Sequence, residues 1–211
     1  MTFEPQTFGL VVDKETGTQQ SFTLRPTLDR SEARDVQDLS NTCFMGTSYQ
    51  YYRELPFLPG GVVLVAVDSN GKVRSYVGLE RTTIEMVRTM PQWNHEPRSV
   101  LVPDGSEYLI TCHCTDREVL KSGLSRTIIG YLTQSVREAN ASGSQKIEGI
   151  SVMVRTNHPT LGPTAPLFWE RLGFQFEGTE NLNWIAVPAE SDRGGKVYRH
   201  PFIDSELSKH L

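Results

Sequence analysis

The chain has little cysteine, little excess charge and no long apolar run, and each shortage excludes a class of protein. Three cysteines in 211 residues (Cys43, Cys112 and Cys114) do not make the framework of a small secreted scaffold, so a disulfide framework is not expected. Cys112-His113-Cys114 lacks the spacing of a metal site. On a strand His113 falls on the opposite face from both cysteines, so no metal is expected there. A net charge of −4 and a pI near 5.8 argue against nucleic acid as a partner. No apolar segment approaches the ~20 residues of a membrane-spanning helix. The start MTFEPQTFGL has neither the basic nor the apolar part of a secretory signal. A cytoplasmic protein with no membrane partner is the expectation. Internal repeats and low-complexity tracts are also missing. With 37% hydrophobic and 22% charged residues, the composition is that of a globular domain large enough to bury a full core.

The most informative stretch is residues 108–139. Leu109, Ile110 and Cys112 read as a buried strand. Leu124, Ile128, Tyr131, Leu132, Val136 and Ala139 then recur three or four apart, the spacing of an amphipathic helix. The turn between them contains Gly123 and Ser125. Glycine admits close backbone approach, and the first amides of a helix lack internal partners, so such a turn can seat a phosphate or be an ordinary connection.

Around this centre the other elements follow in order. Residues 1–21 form either a hairpin or a loose arm, and residues 22–25 a first strand closed by Pro26. Asp29 and Glu32 can cap a helix that turns Ala33, Val36 and Leu39 inward. Residues 44–61 are an aromatic, irregular connection holding Tyr49, Tyr51 and Tyr52. Residues 62–67 and 73–80 make a hairpin about Asn70-Gly71. Residues 85–106, with three prolines, are a long excursion. Beyond the central helix come a strand at 147–154, a loop at 156–162 and a short helix at 163–172 closed by Gly173. A strand pair is expected at 174–177 and 184–187, with a further strand at 196–202. An antiparallel half followed by a strand–helix–strand crossover, which must be parallel, gives a mixed α/β domain spanning residues 22–204, with a tail at 205–211.

This order, with two local motifs, resembles the GNAT acyltransferase superfamily. The loop Leu120-Lys-Ser-Gly123-Leu-Ser125 is similar to the family's Arg/Gln-x-x-Gly-x-Gly/Ala, with Leu in place of the leading Arg or Gln. Ala165-Pro-Leu-Phe168-Trp169-Glu-Arg-Leu-Gly173-Phe174 is similar to its small-x-x-Phe-Tyr-x-x-Leu-Gly-Phe segment, with Trp169 where many members carry Tyr. Asn157 resembles an Asn often found beside the cofactor. The resemblance implies a single mixed sheet of GNAT type and an acyl-CoA-dependent transfer, with acetyl-CoA or another acyl-CoA as donor and a small-molecule or protein amine as acceptor. It implies that the amides of Lys121, Ser122, Gly123, Leu124, Ser125 and Arg126 hold the pyrophosphate, with the Ser125 hydroxyl as an extra donor and Lys121 or Arg126 adding charge. The Cys114 amide, at the strand end near His113 and Thr115, would polarise the thioester carbonyl, and Asn157 and Trp169 would border the cofactor.

His113, by its near-neutral reference pKa, and Glu80, at the end of the neighbouring strand, are the leading candidates for the base. Glu107 and His158 rank behind them. An indole does not usefully protonate a thiolate, so Tyr131, a tyrosine of residues 49–52, or water would replace the missing Tyr as acid. Two other readings stay open: action on carrier-protein thioesters by acyl transfer or decarboxylation, and a non-catalytic binding module. Pairing of exposed C-terminal strands leaves a homodimer open.

Overall fold

The computed structural model describes residues 3–43, 51–88, 101–143, 146–155, 164–176, 182–183 and 194–201. The fold is mixed α/β. It divides into two compact units, Met1–Leu79 with Thr111–Gln145 and Glu80–Ile110 with Lys146–Leu211.

In the first unit β1 (Gln6–Asp13) and β2 (Thr18–Pro26) form an antiparallel hairpin running from Gln6↔Leu24 to Asp13↔Thr18, with a register shift between Val11 and Asp13. The N-terminal segment is thus a hairpin, and the strand expected from residue 22 begins at Thr18. β2 pairs antiparallel with β3 (Gly61–Asp68), from Phe22↔Asp68 to Pro26↔Leu64. Pro26 lacks a donor, and Thr27 closes the pairing with its amide on the Val63 carbonyl at 2.8 Å. Between β2 and β3 lies α1 (Arg30–Cys43). Asp29 caps it, its Oδ1 accepting from the amides of Ser31 (2.8 Å) and Glu32 (3.0 Å). Glu32 reaches back to the Leu28 amide (2.8 Å) and takes two 2.7 Å bonds from Arg25. A helical turn α2 (Tyr51–Glu54) and a 3-10 turn (Leu55–Phe57) lead into β3; the rest of the aromatic segment, 44–50, falls outside the described residues.

Val63 to Val67 are all buried, as the unbroken apolar run requires. Val63, Val65 and Val67 pack with Val36, Leu55, Val73, Tyr76, Cys112 and Cys114. The alternate residues Leu64 and Ala66 stand on the other face of the strand. The Asp68–Gly71 turn, with Gly71 at φ 81°, joins β3 to β4 (Val73–Thr82) as expected. β5 (Glu107–Thr115) is the central strand, and α4 (Leu124–Ala141) follows it. Every apolar position named for α4 in the sequence is buried, and Ile129 joins them. The order in this unit is β1-β2-β3-β4-β5, the last two strands running on into the second unit.

In the second unit α3 (Ile84–Arg88) opens the proline-rich excursion, of which residues 89–100 fall outside the described residues. β5 pairs in parallel with β6 (Gly149–Arg155), from Glu107↔Gly149 to Ile110↔Val152, as a crossover demands. α5 (Thr164–Glu170) is followed by β7 (Gln175–Phe176), β8 (Leu182–Asn183) and β9 (Gly194–Pro201). The strand order is β4-β5-β6-β9-β7. β7 lies within the first segment of the expected strand pair; it and β8 both pair antiparallel with β9, which also pairs with β6. The last strand inserts between its predecessors, and nothing in its local sequence announces that. Residues 184–187 fall outside the described residues.

A second correction concerns cysteine. Cys43 and Cys114, 71 residues apart, are joined in a disulfide, while Cys112 is a buried free thiol. Counting cysteines could not reveal that the last residue of α1 lies against the central strand. Among the described residues no group of His, Cys, Asp and Glu could hold a metal ion.

Candidate active site

The candidate site is built where β5 ends. Asp116 leaves the strand with its amide on the Arg74 carbonyl (2.7 Å) and caps a 3-10 turn, Arg117–Ser122, accepting from the Glu118 amide at 3.1 Å. Arg74 ties this turn to the β3–β4 hairpin, with Nε on Asp68 (2.8 Å) and Nη1 on Asp116 (2.8 Å) and Glu118. Burial raises the carboxyls of Asp68 and Asp116. Hydrogen bonds from Arg74 and backbone amides outweigh it and leave both below the usual range.

Gly123 then reverses the chain at φ 91°, a conformation that costs a side-chain-bearing residue about 1–2 kcal/mol. A Cβ there would meet nothing within 4 Å, so the requirement lies in the backbone and the space above the turn is open. Ser122 stabilises the reversal, donating to the Val119 carbonyl (2.6 Å) and accepting from the Leu124 amide (3.2 Å). The first intrahelical bond of α4 runs from the Thr127 amide to the Gly123 carbonyl (3.0 Å). The amides of Ser125 and Arg126 belong to that unpaired first turn. The expected donor set therefore narrows, because the Leu124 amide is engaged by Ser122. Lys121 and Arg126 are exposed and make no ion pair among the described residues. Leu120, at the position of the family's Arg or Gln, is 55% exposed.

The Ser125 hydroxyl is not the donor it was expected to be. Ser75 must donate to the Cys114 carbonyl (2.8 Å), since a carbonyl only accepts. Its one proton is then used, so Thr115 donates to Ser75 (2.8 Å) and Ser125 to Thr115 (2.7 Å). The protons of this buried chain all run inward, from the turn toward the strand. An anion at the turn meets the Ser125 lone pairs unless the hydroxyls rotate.

His113 is half-buried on β5, its Nδ1 donating to the Tyr76 carbonyl at 2.9 Å. Burial pushes its pKa from 6.5 down to about 4, against that bond. The near-neutral value that singled it out is not kept, and at pH 7 the ring is neutral. Cys114 lies in the core with its side chain in the disulfide, and Thr115 is buried beside it. Tyr131 donates its hydroxyl to the Glu4 carbonyl (2.8 Å) and packs on Phe3, which commits it to the N-terminal segment.

In the second unit Glu80 is 1% exposed, buried rather than solvated. Glu107 is buried too and accepts from the Ser151 hydroxyl at 2.9 Å. Trp169, expected beside the cofactor, is buried against Phe168 and Phe174. Asn157, His158 and Tyr49 fall outside the described residues, as do the side chains of Tyr51 and Tyr52. Two cavities in the first unit, of about 260 and 380 Å³, lie among Pro56 and Gly61 in one case and Thr127 and Tyr131 in the other. Sequence reasoning missed Arg74 and Ser75; their one signal was a pair of polar residues near the start of a strand whose middle, Tyr76 to Leu79, carries no charge.

No protein-family profile and no curated protein matches the chain. Solved structures do. A ribosomal-protein alanine N-acetyltransferase from Escherichia coli superposes with a TM-score of 0.61 at 13% identity, over 85% of this chain and 93% of that one. The chain has the GNAT fold. The GNAT-like decarboxylase GphF, in complex with isobutyryl-CoA, gives 0.67 at 14% identity, over 84% and 98%. The loading GNAT-like domain of CurA from Lyngbya majuscula gives 0.65 at 14%, over 85% and 97%. In this chain β1 pairs outside β2, and the Gly123 turn lies between the central strand and α4.

Proposed function

We propose that the protein is an acyl-CoA-dependent N-acyltransferase, moving an acetyl or other small acyl group to a primary amine. The observation that carries this reading is the turn at Gly123. It is a positive-φ glycine under open space, leading into an 18-residue helix whose first amides and exposed Arg126 suit a pyrophosphate. The donor chemistry fits the group. The amides of Ser125 and Arg126 would hold the phosphate oxygens, Lys121 and Arg126 would add charge, and Cys114 at the strand end would orient the carbonyl. The thioester supplies an acyl group activated toward amines.

The attacking amine must lose a proton. His113, with a pKa near 4, stays neutral at pH 7 but holds a proton too weakly to draw one from an ammonium group. His113 is thus a fixed neutral hydrogen-bonding group, and the base is another residue, Glu80 being the other leading candidate from the sequence. With the Tyr131 hydroxyl engaged on the Glu4 carbonyl, the acid is water or a tyrosine of residues 49–52.

A second reading has support of its own. Leu120 replaces a charged or amide residue at the turn, Trp169 is buried among aromatic rings, and a decarboxylase and a loading domain are among the structures with this fold. Carrier-bound thioesters are thus the alternative donors. Calorimetric titration with acetyl-CoA, free CoA and an acyl-carrier thioester separates the two. Wild-type protein is expected to bind CoA, and Gly123→Val to bind it at least tenfold more weakly while still melting cooperatively. Binding of carrier thioester alone would move the assignment to the second reading, and no binding of any of the three would refute both.

A further inference from the structure

We propose that the Cys43–Cys114 disulfide is a redox clasp on the candidate site, whose bonded state holds the Gly123 turn in its binding arrangement. Its consequence for ligand binding rests on the acyl-CoA reading above; its existence does not. The two Cα atoms are 6.5 Å apart, inside the range that a disulfide tolerates. The bond closes a loop of 71 residues, so it constrains the chain well beyond its neighbours.

Its position gives the bond its meaning. Cys114 is the strand residue whose carbonyl accepts from Ser75, and the next residue, Thr115, is bonded to both Ser75 and Ser125. A shift of Cys114 therefore reaches the turn through two hydroxyl bonds. Cys43 is the last residue of α1, its sulfur within 3.8 Å of the Thr115 carbonyl, and the aromatic segment 44–61 starts directly after it. Cys112 is set apart from this chemistry, being buried with its sulfur 2.9 Å from the Tyr76 hydroxyl. Cys43 is half-buried, so an external thiolate reaches its sulfur more readily than that of buried Cys114.

The step balances with ordinary thiol chemistry. A dithiol attacks Cys43, displaces the Cys114 thiolate and closes to its own cyclic disulfide. The dithiol thereby gives up two electrons and two protons, and both cysteines become thiols. In the other direction a small disulfide such as oxidised glutathione accepts the two electrons and leaves as two thiols. Bonded sulfurs sit about 2 Å apart, and two thiols need more room. Reduction therefore pushes the end of α1 and the end of β5 apart. In a reducing compartment a disulfide of this kind is sensing rather than structural.

The test uses the whole protein held in dithiothreitol or in oxidised glutathione, with three readouts. Alkylation under denaturing conditions, read by mass, is expected to label one cysteine in the oxidised form and three in the reduced form. Three labels in both would overturn the proposal. Amide exchange at residues 115–126 is expected to rise on reduction, with a melting temperature lower on the order of 5–10 °C. CoA is expected to bind the reduced form about fivefold more weakly. Cys43→Ser should respond to neither reagent; if it does not fold, Cys43→Ala or the two redox states of the wild type carry the comparison. Equal CoA binding by both states overturns the clasp and leaves the acyl-CoA reading standing. If neither state binds CoA, that reading falls, and exchange at 115–126 decides the clasp: redox-dependent exchange supports it, unchanged exchange overturns it.

Discussion

The turn after β5 and the turn after α5 both close on a glycine with positive φ, at 91° for Gly123 and 86° for Gly173, but their materials are opposite. The first is polar. Arg74 grips Asp116 and Glu118, Ser122 bridges the reversal, and three hydroxyls in a row tie Ser125 to the strand. The second is apolar: Trp169 packs edge-on against Phe174 at 5.0 Å, and the amides of Leu172 and Phe174 both return to the Trp169 carbonyl. In the sequence the α5 segment was the closer match to its family motif and the β5 turn the weaker one. The structure buries Trp169 in the well-matched segment and leaves the cations Lys121 and Arg126 exposed at the other.

The largest expected effect breaks that comparison at its apolar end. Trp169→Ala should cost about 3–5 kcal/mol of stability, as for a buried aromatic side chain, while CoA affinity of the folded fraction stays within about twofold. Chemical denaturation paired with calorimetry reads both, and a selective loss of affinity would return Trp169 to the cofactor site.

The next effect tests the strand leading into the polar turn. His113 has a folded-state pKa near 4 against 6.5 unfolded, so below pH 6.5 the unfolded chain takes up a proton that the folded chain refuses. Stability should therefore fall as pH drops from 6.5 toward 4, by about 3 kcal/mol at most, and should be flat above 6.5. Denaturation midpoints across that window check the slope, and His113→Gln should remove it.

The smallest effect sharpens the polar end. Ser75→Ala should cost about 1–1.5 kcal/mol, and Thr115→Ser should be milder because it keeps the hydroxyl. Combined with Ser125→Ala, the Ser75→Ala change should be non-additive in a double-mutant cycle. Additive costs would show that the three hydroxyls do not act as a chain.

Much of the fold was legible because its signals are local. The inward periodicity of Leu124, Ile128, Leu132 and Val136 marked α4, Asn70-Gly71 marked the hairpin, and Asp29 with Glu32 marked the start of α1. Each needs no more than a few neighbouring residues to exert its effect. The candidate turn was legible for the same reason, since Gly123 between an apolar strand and an amphipathic helix is a local pattern.

What only the tertiary structure decided depends on residues far apart in the chain. Whether Ser125 donates or accepts is fixed by Ser75, fifty residues away, through the proton count of an ordered hydroxyl chain. Whether His113 is a base is fixed by its desolvation beside Tyr76, and whether Cys114 is a thiol by the arrival of Cys43. The insertion of β9 between β6 and β7 belongs with these. Sequence sets local propensity and periodicity, which are properties of neighbours. Protonation, hydrogen-bond direction and sulfur pairing follow from which distant groups are brought together out of water, and packing alone determines that.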